Sequence, residues 1–127
     1  KQTKRLGSAG TVMGRSGLKI NSSVKSMWAF ALFDLPVASK EDRRNYTRFR
    51  KYLLAEGFFK LQFSVYARYC DTRENTATIL RRVRNELPPQ GEVRFLFVTD
   101  KQFADMIVYN GRKVEKTEEK PQQMMLF

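Results

Sequence analysis

Histidine is absent from this chain of 127 residues, and cysteine occurs only once, at Cys70. The lack of histidine excludes Ser-His-Asp and Cys-His catalytic systems, a histidine general base and histidine-ligated zinc. A single cysteine excludes an intramolecular disulfide, which is typical of the reducing cytoplasm, where we expect this protein to act. Any hydrolytic chemistry would therefore depend on carboxylates and a hard metal ion.

Long apolar runs are also missing, so we expect neither a membrane span nor a signal peptide. Residues 1–26 contain six basic residues and no acidic one, with recurrent glycine and serine, and we interpret them as a flexible basic arm. The formal net charge of the whole chain is +11. Such a charge indicates a polyanionic partner, and nucleic acid is favoured over a membrane surface.

Hydrophobic patterns predict one α+β domain over residues 27–111. Its first strand, Met27–Asp34, is apolar on both faces, which is typical of a strand covered on both sides. The segments that follow are predicted as a helix from Ser39 to about Glu56, one bent strand or two strands over 58–68, a helix over 73–87, a strand over 93–100, a helical turn over 101–105 and a short strand over 106–109.

The resulting order β-α-β-β-α-β is that of the ferredoxin-like fold. Its two helices cover one face of the sheet, so the apolar second face predicts that two copies pack sheet to sheet as a homodimer. Residues 112–127 form a polar C-terminal tail that ends in the apolar segment Met124–Phe127. We expect this tail to add an extra edge strand, either swapped onto the second copy or placed on another partner.

Several local motifs follow one another in a recognisable order. The first strand ends in Phe33-Asp34, the next helix has an Arg-rich start and ends at Gly57, and residues 62–66 read Gln-x-Ser-Val-aromatic. In this order and spacing the chain resembles the CRISPR-associated protein two family over about residues 16–112. Leu35-Pro36 and the sequence of residues 16–21 resemble the versions that accompany single-protein, RNA-guided (type II) effectors.

This resemblance implies a symmetric homodimer that binds double-stranded DNA and bridges dimers of the CRISPR integrase partner during spacer acquisition. The alternative that it implies is a Mg²⁺-dependent endonuclease acting on RNA or DNA, in which Asp34 of each protomer binds the metal at the two-fold axis. The chain departs from the family pattern at Phe33, where tyrosine is frequent, and in its longer N-terminal arm.

Asp34 is therefore the candidate catalytic and metal-binding residue, with Phe33 and Ser64 in supporting positions. A carboxylate at a strand end can bind Mg²⁺ if a second copy supplies another carboxylate. The alternative is that Asp34 caps the turn at Pro36. For Ser64 the alternatives are orienting a phosphate or the metal, and an ordinary hydrogen bond across the sheet.

Basic residues on both predicted helices are the candidates for nucleic-acid contact. An unbalanced basic helix face is typical of phosphate binding, and the alternative is a solvated face. The candidates are Arg43, Arg44, Arg48 and Lys51 on the first helix, and Arg81 and Arg82 on the second, with Arg68 extending the track.

Phenylalanines in the strand segments are predicted to be core residues rather than a base-stacking platform. These residues are Phe30, Phe63, Phe95 and Phe97. This prediction argues against a third function, an RNA-recognition module of similar topology, which needs exposed strand aromatics that only Gly57–Phe59 loosely imitates. A toxin-type ribonuclease dimer of the same fold is a further alternative.

Overall fold

A computed structural model describes residues 12–13, 19–20 and 26–121. The elements in chain order are β1 (Val12–Met13), β2 (Lys19–Ile20), β3 (Met27–Asp34), α1 (Lys40–Ala55), β4 (Phe59–Gln62), β5 (Val65–Cys70), α2 (Arg73–Arg84), β6 (Glu92–Thr99), α3 (Asp100–Ala104), β7 (Val108–Asn110) and β8 (Lys113–Glu115). Most of the predicted basic arm, and all of the apolar segment Met124–Phe127, lie outside the described residues.

The main sheet has four strands in the order β4-β5-β3-β6, and every neighbouring pair is antiparallel. In the β-α-β-β-α-β unit, the first strand, β3, thus lies between the third, β5, and the fourth, β6. This is the ferredoxin-like arrangement, and the predicted α+β fold is confirmed. Strands β1 and β2 form a separate pair, as do β7 and β8. The β7–β8 hairpin turns at Gly111, whose φ of +66° suits a tight turn.

One face of the sheet carries both long helices. Strand β3 presents Ala29, Ala31 and Phe33 to this side, where they join one core cluster with buried residues of α1 and α2. The helix residues of that cluster are Phe49, Leu53, Ile79 and Val83. The two small alanines leave room for the helices, because interiors pack at close to crystalline density.

Helix α1 has the predicted ends. The Ser39 side chain accepts from the backbone N–H of Asp42, and the Asp42 side chain accepts from that of Ser39, which completes a capping box. The helix is followed by Gly57 at φ +101°, a left-handed conformation that glycine adopts without steric cost. A β-carbon at this position would also lie 2.6 Å from Nε of Arg68.

Helix α2 is shorter than its hydrophobic spacing predicts. It ends at Arg84, and Leu87 is 44% exposed rather than buried. The backbone N–H groups of Asn85 and Glu86 bind the carbonyls of Arg82 and Val83, so the last turn tightens before the Pro88-Pro89 pair.

The second face of the sheet is covered at one end only. Trp28 is 1% exposed because the Phe103 ring of α3 stacks on it at 3.9 Å between centroids. The indole Nε1 donates to Oδ1 of Asp100 at 3.2 Å. Towards the other end of β3, Phe30 and Leu32 are only half-buried, and Leu96, the cross-strand partner of Phe30, is 52% exposed. We refer to Phe30, Leu32 and Leu96 as the open half-face.

Candidate metal and nucleic-acid site

Asp34 is the last residue of β3 and its side chain is exposed. The register of the sheet places it directly opposite Glu92, the first residue of β6. Opposite residues of antiparallel strands point to the same side with β-carbons about 5 Å apart. The sheet therefore brings two carboxylates together at the edge of the open half-face, although the sequence drew attention to Asp34 alone.

Glu92 is not free of other contacts, because its Oε1 accepts from Nε and Nη2 of Arg94 at 3.3 and 3.2 Å. Both side chains of this ion pair are mostly exposed. Among residues 26–121 no group of three or more histidine, cysteine, aspartate or glutamate side chains is placed to hold a metal. One or two carboxylates nonetheless suit Mg²⁺, which keeps several waters and shares substrate phosphates. Asp34 and Glu92 fit such an ion.

The loop after Asp34 is held by Arg43. Its Nη1 donates to the carbonyls of Val37 and Ala38, at 3.0 Å each. The guanidinium thus ties the start of α1 to the loop that leads from the candidate metal residue. The structure gives Arg43 a positioning role beside its predicted part in phosphate contact.

The outer side of α1 carries a row of exposed basic residues, Arg44, Arg48 and Lys51, which we call the basic stripe. Their spacing of four and three residues puts them on one face of the helix, opposite the buried Phe49 and Leu53. Arg44 approaches Glu41 at 3.3 Å in a solvent-exposed pair. Within the described part of the chain, neither Arg48 nor Lys51 forms an ion pair.

The arginines of α2 differ from one another. Arg81 is exposed, whereas Arg82 donates through Nε and Nη2 to the two carboxylate oxygens of Glu56, at 2.7 and 3.1 Å. The Tyr52 hydroxyl donates to the same carboxylate at 2.9 Å. Arg82 therefore joins the end of α1 to α2. A phosphate that Arg82 contacts, as predicted, would have to share its guanidinium with Glu56.

Glu56 and Tyr52 show the electrostatic effect of this network. The Arg82 hydrogen bonds hold the pKa of Glu56 below its usual value, although burial acts in the opposite direction. Burial, with the hydrogen bond to Glu56, raises the pKa of Tyr52 to about 12. Arg68 binds the same region, since its Nε donates to the Glu56 carbonyl at 2.8 Å, so it supports the end of α1.

The supporting residues Phe33 and Ser64 meet at the end of β3. The backbone N–H of Phe33 donates to the carbonyl of Ser64 at 3.1 Å, and the Ser64 hydroxyl lies 3.1 Å from the hydroxyl of Tyr46. Ser64 lies in the turn between β4 and β5, with φ +68°. Its backbone carbonyl accepts the bond across the sheet, whereas its hydroxyl contacts helix α1 through Tyr46. The Phe33 ring is buried against Tyr46, Phe49 and Tyr66.

The prediction that Phe63 is a core residue is wrong, because its side chain is 73% exposed. Strand β4 contains one extra residue at Leu61, between the pairs Lys60–Tyr66 and Gln62–Val65. This bulge shifts the alternation of side chains, so that Phe63 leaves the face of Phe59 and enters the turn. Phe30, Phe95 and Phe97 do pack against the core clusters, half-buried.

A cavity of about 1090 Å³ lies elsewhere. It is formed by Tyr69, Asp100 and Phe103 together with the segment 115–121. None of the predicted site residues lines it.

These features define a small basic protein of ferredoxin-like topology, with a carboxylate pair at the end of the central strand and a basic helix beside it. The family model for CRISPR associated protein Cas2 matches residues 27–106, from the start of β3 to just beyond the end of α3. The chain belongs to the Cas2 family, as the order of its sequence motifs indicated.

Relatives with curated names agree with this assignment. The CRISPR-associated endoribonuclease Cas2 of Parvibaculum lavamentivorans is 46% identical over 101 residues, which cover 80% of this chain and 100% of that protein. The protein of the same name from Flavobacterium psychrophilum is 41% identical over 103 residues, covering 81% of this chain and 90% of that protein. Another, from Lacticaseibacillus rhamnosus, is 48% identical over 75 residues, covering 59% and 74%.

The Glu56–Arg82 pair predicts a pH-dependent contribution to stability. A carboxylate with a lowered pKa stabilises the fold above its unfolded pKa, about 4.3, and loses this effect as the pH falls through the folded value. Glu56→Gln should therefore lower the urea midpoint at pH 7, and its difference from wild type should shrink in acid, as measured by circular dichroism.

Glu92→Gln is the matched control, because it removes an acid from an exposed pair that contributes little to stability. Its urea midpoint should stay close to wild type at both pH values. An equal loss in the two variants, or a Glu56→Gln deficit that does not change with pH, would contradict the assigned role.

Proposed function

We propose that the protein acts in the cytoplasm as a CRISPR adaptation protein, in which a homodimer binds double-stranded DNA and bridges dimers of the integrase partner during spacer acquisition. The observation that carries this proposal is the basic stripe of α1, exposed on the outer side of the domain. Membership of the Cas2 family supports the biological setting. No helix within residues 26–121 is long and apolar enough to cross a membrane.

The basic stripe suits a phosphate backbone in length as well as in charge. Seven residues of α-helix separate Arg44 from Lys51, a rise of about 10 Å. Phosphates follow one another at about 3.4 Å along the axis for each strand of duplex DNA. The stripe therefore spans about three phosphate steps, and the net charge of +11 favours the approach of any polyanion.

The homodimer follows from the open half-face. Phe30, Leu32 and Leu96 form an apolar patch on the sheet, and α3 reaches only Phe30, whose ring centroid lies 5.7 Å from that of Phe103. A second copy packed sheet to sheet would bury this patch and bring a second basic stripe into the same particle. It would also bring a second carboxylate pair near the first, because Asp34 and Glu92 lie at the border of the same face.

A second candidate function is a Mg²⁺-dependent endonuclease acting on RNA or DNA. The pairing of Asp34 with Glu92 favours it, and the relatives carry the name endoribonuclease. Asp34 and Glu92 would hold the ion, with Arg94 orienting Glu92, while the basic stripe holds the substrate backbone. A bound Mg²⁺ would supply charge stabilisation for the phosphodiester and an activated water.

The DNA-binding proposal predicts the salt dependence of the double variant Arg48→Gln, Lys51→Gln. Duplex affinity should fall, and the slope of log K against log salt should flatten by about 0.9 for each phosphate that the variant no longer neutralises. Fluorescence anisotropy with a labelled duplex measures both quantities. Arg112→Gln with Lys113→Gln removes the same charge from the β7–β8 turn and should leave the slope nearly unchanged. A double variant of α1 with the wild-type slope would remove the basic stripe from the interface.

The nuclease candidate predicts the effect of Asp34→Asn, which keeps the shape of the side chain and removes its charge. Mg²⁺-dependent cleavage of labelled single-stranded RNA should fall by about 100-fold or more, since the variant has one metal ligand fewer, while duplex affinity stays within about twofold. Glu92→Gln should reduce cleavage less. Cleavage that persists in Asp34→Asn, or a wild-type protein that binds duplex without cutting any strand, would overturn this second function.

A further inference from the structure

We propose that the turn between β4 and β5 is a stacking site for an unpaired base of single-stranded nucleic acid, with the Phe63 ring against the base and Lys60 on a neighbouring phosphate. The inference rests on the proposed nucleic-acid function. The basic stripe alone would not distinguish a single strand from a duplex, because both present phosphates. The stacking site would select the single strand, which has a free base.

Phe63 is the most exposed of the large hydrophobic side chains in the described residues, at 73%. Exposure of a phenyl ring is unfavourable relative to its burial, so a ring held on the surface needs a structural or functional cause. The bulge in β4 supplies the structural cause, because it carries Phe63 away from the face on which Phe59 packs against the core.

The turn holds this ring in one orientation. Phe63 stacks on Tyr46 of α1, with 5.9 Å between centroids and 21° between ring planes. The Tyr46 hydroxyl lies 3.1 Å from that of Ser64, whose carbonyl accepts from the backbone N–H of Phe33. Ser64 itself adopts φ +68°, which is uncommon outside glycine, asparagine and aspartate. Unfavourable backbone conformations of this kind persist where the surroundings enforce them, often at binding sites.

The turn and its two strands carry basic side chains, which are complementary to a phosphate chain. Nζ of Lys60 lies 5.7 Å from the centre of the Phe63 ring, at cation–π distance. Residues 57–70 contain Lys60 and Arg68 and no acidic residue. An aromatic ring beside a lysine is the combination with which proteins hold single strands, because a base stacks on the ring and the cation meets the backbone.

A second copy of the chain is a less suitable occupant. The Tyr46 ring, on which Phe63 stacks, packs against the core cluster on the helix-covered side of the sheet. The open half-face, where a second copy would pack, is on the opposite side. The turn therefore stays accessible in the dimer that we propose, next to the strand end that carries Asp34.

The experiment compares full-length wild type with Phe63→Leu, Phe63→Trp and the control Tyr109→Leu. Tyr109 is an aromatic residue of similar exposure, 65%, in the β7–β8 hairpin. The probes are a labelled single strand of about twelve nucleotides and the blunt duplex of the same sequence, each with EDTA so that no cleavage occurs. Affinities are measured by fluorescence anisotropy and particle mass by sedimentation.

Phe63→Leu should weaken binding of the single strand by about tenfold, the effect of removing one stacked base, and should leave duplex affinity unchanged. Phe63→Trp should bind as wild type, and its new indole should be quenched on binding, whereas Trp28, the only native tryptophan, is buried. Tyr109→Leu should behave as wild type.

Single-strand affinity that does not change in Phe63→Leu would overturn the stacking site while leaving the proposed function intact. A changed sedimentation mass in Phe63→Leu would also overturn it, because the ring would then belong to an interface between copies. Wild-type protein that binds neither probe would instead overturn the proposed function itself.

Discussion

Strand β3 is hydrogen-bonded along both edges, to β5 on one side and β6 on the other. This pairing fixes which of its side chains face the helices and which face the second side of the sheet. A slip of one residue would exchange the two sets, placing Trp28 under the helices and Ala29 on the other face. The same register carries Asp34 out of the core at the strand end and brings Glu92 opposite it. Core and candidate site thus depend on one set of backbone hydrogen bonds.

The two faces of β3 are covered unequally, and the candidate site lies at the boundary. The helix side is closed by α1 and α2 over small alanines. The second side is closed around Trp28 by the short helix α3, whose Phe103 also reaches the edge of the Phe30 ring. Apolar side chains remain on the open half-face, and the carboxylate pair lies beside them. The homodimer that we propose would cover this face, and its interface would then adjoin the residues that we propose for chemistry.

The sequence predicted the elements and their order well, because alternating strands, the Ser39 cap and the Gly57 stop are local signals. It could not predict contacts that depend on tertiary register. Glu92 reaches Asp34 only through the β3–β6 pairing, and the roles of Arg43 and Arg82 depend on carbonyls and a carboxylate that their own helix patterns do not show. The alternation in β4 reads as continuous and so predicts Phe63 in the core, but one inserted residue at Leu61 reverses it. The arginines of α2 look alike in sequence, yet among them only Arg82 forms an ion pair within residues 26–121, with Glu56 at the C-terminal end of α1.

The central claim is that a second copy covers the open half-face. Sedimentation velocity of the full-length chain tests it most directly, together with Leu96→Lys, which puts a charge in the middle of that face, and Leu54→Lys, a control on α1 at similar exposure. Wild type and Leu54→Lys should sediment at twice the mass of the chain, and Leu96→Lys as a folded single chain. A wild-type protein that sediments as one chain at every concentration, or a Leu96→Lys variant that remains dimeric, would contradict the account.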